Sequence, residues 1–181
     1  MRIFYFLGFF LFLSALHAQK HDYIWLFSDV EDGSLPGGEA SRLDFSRRPP
    51  GIMPFQAPII FDGTSAMISD AEGQLLFYSN GCRIINAAHQ LMENGDSLNP
   101  GQDFNIWCDT SIYSAYPAGT QSGMILPDPG DDQVYHFFHK KTILVSEPSL
   151  AVFTTELFRT TVDLRFNDGL GKVTEKKHSG T

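Results

Sequence analysis

The chain has little cysteine, little positive charge and only one long apolar run, and each scarcity narrows what it can be. Cysteine occurs twice in 181 residues, at Cys82 and Cys108. Neither stands in a Cys-x-x-Cys pair or at a zinc-ligand spacing from a histidine, so the sequence gives no reason to expect a metal. Lys and Arg number 13 against 21 Asp and Glu, for a net charge of −8. That balance argues against nucleic acid as a partner, because a phosphate backbone needs clustered cations. No segment holds a helical period, and no Gly-x-Ser-x-Gly elbow occurs. Gly37-Gly38 lacks the strand-to-helix setting of a phosphate loop. Against these absences, 43% of residues are hydrophobic and 19% charged, a globular rather than a disordered composition.

The one apolar run lies at the start. Met1-Arg2 is basic, Ile3 to Leu13 is almost wholly apolar, and Ser14 to Ala18 is small and mildly polar. This is the pattern of a secretory signal over residues 1–18, cut after Ala18, with Ala15 as the alternative. The run is too short to anchor the chain, since a spanning helix wants about 20 residues. No cysteine follows the cut, so no lipid anchor is expected. The expected location is therefore secreted or cell surface, with no membrane span after cleavage. An even cysteine count outside the cytosol then reads as a Cys82–Cys108 disulfide, whose loop closure is worth roughly 3.5 kcal/mol on the chain-entropy view.

Strand signals dominate the rest. Tyr23 to Ser28 reads as a first strand, and residues 29–58 as a long loop with a short strand at Leu43 to Phe45. Residues 19–64 thus form an N-terminal strand and loop. From 65 to 181 the pattern repeats, with starts near 65 and 122. Ser65-Ala-Met-Ile-Ser69 resembles Ser122-Gly-Met-Ile-Leu126, and Gln74 to Tyr78 resembles Gln133 to Phe138. Asn80-Gly81 turns the chain into a third strand, and residues 87–121 read as an irregular stretch. In Leu75-Leu-Phe-Tyr78 both faces are apolar, as in a strand covered on both sides. The expectation is an all-β fold of antiparallel four-stranded β-propeller blades, about two of them and incomplete. A β-sandwich is the alternative, and should show one polar face per strand.

The run Ile68 to Gly81, with Ile85-Asn86, His89, Met92 to Gly95 and Leu98 to Gly101, resembles a segment near the start of secreted Bacteroidota surface proteins. The resemblance resumes at Gln121-Ser122, Pro127, Pro129-Gly130, Tyr135 and Phe137-Phe-His139. It ends at Val162-Asp-Leu164 and Gly169-Leu-Gly-Lys-Val173, so it covers most of the chain from about Trp25. It implies a β-propeller-type region, here truncated, of a protein that often carries a sorting domain for type IX secretion. It implies adhesion or gliding-associated company, and no catalytic residue.

Candidate chemistry is sparse. His136 and His139, at i and i+3 on a strand, face opposite sides and cannot share a metal. Asp128, Asp131 and Asp132 cluster in one turn, but Pro127 and Pro129 explain that segment as a rigid loop better than calcium does. Trp107, Tyr113 and Tyr116 lie in a loop beside Cys108 and form the candidate ligand surface, against the plainer reading that they cap a sheet. The sequence leads to a secreted or cell-surface, non-enzymatic binding or adhesion segment. Its expected partner is an extracellular protein or glycan, with no cofactor and no catalytic residue. The alternative is the N-terminal part of a propeller-fold glycan hydrolase or lyase, whose paired carboxylates a sequence alone does not select.

Overall fold

A computed structural model describes residues 20–28, 39–61, 63–108, 115–117, 119 and 121–178. The signal segment expected at residues 1–18 and the candidate Tyr113 lie outside them. The described chain is all-β, in three antiparallel sheets, none of them closed. The first sheet holds β1 (Ile24–Ser28), β2 (Glu39–Asp44) and β3 (Gly51–Gln56). The middle sheet holds β4 (Ala66–Ser69), β5 (Leu75–Ser79) and β6 (Ile84–Asn86). After a short helix α1 (Gln102–Trp107), the last sheet runs in order through β7 (Gly123–Asp128), β8 (Asp131–Val145), β9 (Ala151–Asp163) and β10 (Lys172–His178).

The sheets stack with the middle one covered on both sides, as the two apolar faces of β5 require. Phe77 and Ile68 point toward the last sheet and pack with Ile125, Phe137 and Val162. Tyr78 and Ile85 point the other way and pack with Ile24, Leu26 and Ile59 of the N-terminal region. Rings set both contacts. Phe77 meets Tyr135 edge-on at 5.8 Å, and Phe61 meets Tyr78 at 5.5 Å. Among the described residues the last sheet packs its apolar core on the face toward the middle sheet.

Several sequence expectations change. Residues 29–58 are not one long loop, because β2 and β3 complete a sheet with β1. The polar β2 and the proline-bearing β3 hide their strand character. Pro54 is tolerated because β3 is an edge strand, where a missing N–H costs nothing in the ladder. Among the described residues the last sheet has four strands, and the middle sheet, where the first four-stranded unit was expected, has three. The middle sheet gains a substitute instead. Met92 N–H donates to Ile84 O at 3.0 Å and Ile84 N–H to Gly95 O at 2.7 Å, so residues 90–95 run beside β6. Glu93 then bridges to Lys172 of β10.

Strand direction positions the site. Ala66 and Gly123, which open β4 and β7, lie against one another. The turns that follow these strands also share one cleft. β4 and β7 therefore run side by side in the same direction. β1 runs the opposite way: His21, just before it, hydrogen-bonds Ser69 at the end of β4, and Ser28 at its end accepts from Phe61 N–H ahead of β4.

Candidate functional site

The disulfide forms, with Cys82 and Cys108 joined at 2.00 Å. It ties the loop after β6 to the β5–β6 turn and makes a small core with Tyr116 and Phe104. Tyr116 is 1% exposed, and its hydroxyl accepts from Thr142 N–H at 2.9 Å. It presents nothing to a ligand, which corrects the sequence reading at that residue. Trp107 is half-buried. Phe104 and Tyr116 of this loop pack on the disulfide.

The two strand histidines part as their spacing requires. His139 is buried, with Nδ1 2.9 Å from Asn99 Oδ1 and Nε2 2.9 Å from Thr160 Oγ1. His136 lies on the outer face, with Nε2 2.8 Å from Asp128 Oδ2 and Nδ1 3.2 Å from Thr161 Oγ1. Carboxylate, imidazole and hydroxyl thus stand in line. Thr161 sits inside β9, paired with β8 on one side and β10 on the other.

A large concavity lies elsewhere, between the β4–β5 and β7–β8 turns, with a volume of about 1040 Å³. Each turn is built by an aspartate. Asp70 Oδ1 accepts from Glu72 N–H at 3.0 Å and Gln74 N–H at 2.7 Å, and Asp128 Oδ1 accepts from Gly130 N–H at 2.8 Å. Because β4 and β7 run together, both turns open on the same cleft and bring five carboxylates to it: Asp70, Glu72, Asp128, Asp131 and Asp132. Asp128 pairs with His136, whose hydrogen bond holds its carboxyl below the usual range, and Asp131 lies 3.2 Å from Arg165, a guanidinium it shares with Asp163. Asp70, Glu72 and Asp132 make no ion pair among the described residues.

Tyr135 lies at the inner wall of this cleft. It is 4% exposed and packs edge-on against Phe77. Burial raises its pKa, and the charges of Asp70, Asp132 and Glu72 raise it further. Leu76 and Leu164 complete an apolar floor. No group of three or more His, Cys, Asp or Glu among the described residues is arranged to hold a metal ion.

No family model, curated protein or solved structure matches the chain.

Two apolar surfaces accompany the cleft. Trp25, Phe27 and Met124 line a groove of about 360 Å³ where the edges of β1, β4 and β7 converge. The β8–β9 hairpin also outruns its neighbours. β7 pairs only as far as His139 and β10 only from Phe158, so residues 140–157 form a two-stranded arm. On it Ile143, Val152, Phe153 and Leu157 stay exposed. Sequence reading missed both the cleft and the arm. The cleft had a signal, since the two similar hairpins both carry acidic turns, Asp70-Ala-Glu-Gly73 and Asp128-Pro-Gly-Asp-Asp132.

Proposed function

We propose that this chain is a secreted or cell-surface, non-enzymatic binding or adhesion segment of β-propeller type, akin to the surface proteins its sequence resembles. One observation carries the reading. The middle sheet is covered on both faces, while the outer sheets and the arm keep large apolar side chains in solvent. Surfaces of that kind mark contact with another surface. The disulfide fits an oxidising compartment, and no helix among the described residues is long and apolar enough to cross a membrane. The blade reading draws support from the middle and last sheets. Their first hairpins share direction and register style, with Ile68 opposite Phe77 in one and Ile125 opposite Phe137 in the other. The reversed β1 departs from a ring of like blades.

The test is retention on the cell envelope. Phe153→Ser with Leu157→Ser changes two exposed arm positions and leaves the core intact. The double variant should fold normally and lose retention roughly tenfold, as hot-spot aromatics and their neighbours do. Unchanged retention, or turnover of a glycan by the native protein, overturns the reading.

A further inference from the structure

The sheet stack ends in an apolar face on each side. In the first sheet Trp25 lies opposite Leu43 and Leu43 opposite Ile52, while Phe27 lies opposite Ser41 and Ser41 opposite Pro54. Directly opposed residues share a face. Ile24, Leu26 and Phe55 fill the other face, toward the middle sheet, so the row from Trp25 to Pro54 looks outward. Trp25 and Phe27 are exposed there, and Ile52 is 72% exposed. In the last sheet Ile125, Tyr135 and Phe137 face the middle sheet. Met124 and Leu126, opposite Phe138 and His136, therefore point away from it. Leu126 is exposed, and Met124 is 56% exposed. The edges of β1, β4 and β7 meet at one groove, so the three sheets spread from a common line like part of a fan. We propose that two copies of this chain close the fan into a ring, the first sheet of each copy packing on the last sheet of the other.

Number, face chemistry and area point to a second copy. Rings of radiating sheets close with about 4–8 of them. One chain supplies three, so a pair reaches that range. Both faces that closure needs stand on the same chain, and the exposed apolar side chains lie on the strands nearest the axis, β1 and β7. Farther out on the last sheet, Arg159 and Lys177 pair with Glu175. The face is thus apolar toward the axis and charged at its rim, the distribution of a contact with a dry centre. Strands of about six residues at the usual spacings give each face roughly 300 Å². A single contact then covers about 600 Å² over both partners, short of the roughly 1,200 Å² that a stable interface buries. The closed pair makes the contact twice and reaches it. The reversed β1 is no obstacle, because sheets pack through their side-chain faces. The inference goes beyond the binding reading, since it concerns how the stack closes and not what it holds.

The experiment measures the mass of the native, disulfide-bonded protein in solution by sedimentation equilibrium. A discrete dimer is expected at micromolar concentration. Ile52→Asp puts a charge on the end face of the first sheet, and Met124→Asp puts one on that of the last. Both positions are exposed, so each variant should keep the native near-ultraviolet circular dichroism. Each alone should raise the dimer dissociation constant roughly hundredfold, because two-fold symmetry places the charge in both contacts. Mixed, the two variants should bind one another more tightly than either binds itself. The Ile52→Asp copy still offers its last sheet, and the Met124→Asp copy its first. Should either variant lose its fold, Phe27→Ser and Leu126→Ser test the same two faces. A monomer throughout, or no recovery on mixing, overturns the proposal. So does a dimer broken by only one variant, which would mean that like faces pair. Growth into open chains also overturns it, because unlike faces would then meet without closing. A monomer still retained on the envelope removes only the pairing, whereas a dimer without retention removes only the binding reading.

Discussion

At the residue scale, the β5–β6 turn shows how one sequence cue is fixed by a distant partner. Asn80 is buried, and its Oδ1 accepts from Cys82 N–H at 3.1 Å and Arg83 N–H at 3.2 Å. Gly81 follows at φ +79, and a Cβ there would stand 2.7 Å from Tyr116 Cβ. The Asn-Gly pair was legible as a turn from φ preference alone. That Tyr116 would close on it was not, because the contact depends on how the disulfide loop folds back. Gly81→Ala should therefore cost roughly 1–3 kcal/mol, measured as a lower urea midpoint at constant m. Asn99 makes a second such link. Its Nδ2 donates to Gly81 O at 2.9 Å and its Oδ1 meets His139 Nδ1. Asn99→Ala leaves two buried groups unpaired and should cost about 1–3 kcal/mol for each, by the same measurement.

At the element scale, legibility followed apolar patterning. β5 was readable because leucines and rings crowd both of its faces. β2 was read only at its end, in the short strand expected at Leu43 to Phe45, since of its side chains Ala40 and Asp44 are the buried ones and neither announces a strand. The segment 90–95 was also opaque. It pairs with β6 through backbone groups, with Met92 its buried apolar side chain, so composition carries little of the signal. The arm shows where sequence ran short, because nothing in β8 and β9 says that their neighbours end early. Isolated two-stranded ribbons are marginal in water. This one is fastened at its base by Asp103, whose Oδ2 accepts from Thr142 Oγ1 at 2.8 Å and whose Oδ1 accepts from Leu144 N–H at 3.0 Å. Amides of residues 145–151 should exchange rapidly and those of 135–139 slowly. Asp103→Ala should extend fast exchange to Thr142 and Leu144. Uniform protection along β8 would contradict that picture.

At the scale of the whole molecule, three stacked sheets hold together through two ring-rich layers and one covalent tie. Carboxylates tune that stability with pH. A hydrogen bond from Arg165 holds Asp163 below its usual range, and one from Lys172 does the same for Glu93. Where a folded pKa is lowered, the unfolded chain binds more protons. The stabilisation is then complete above the ordinary carboxylate pKa of about 4 and is lost as pH falls through the lowered values. Burial, with Arg42 nearby, lowers His89 and adds a loss of the same sign beginning below about pH 6.5. The urea midpoint should fall from pH 7 to 5.5 and again to 3.5, and a rise on acidification would contradict the assignment. The all-β class and the two-faced middle strand were readable in the sequence. The acidic cleft was not, because it exists only where two similar hairpins lie side by side with their turns at one end. The central claim is an exported, disulfide-bonded binding segment. Peptide mapping of the native protein, isolated without reductant from medium and cell surface, tests it most directly. The account expects an N-terminal peptide beginning at Gln19 and a Cys82–Cys108 linked pair. A protein confined to the cytosol, retaining Met1 and carrying two free thiols, would contradict it.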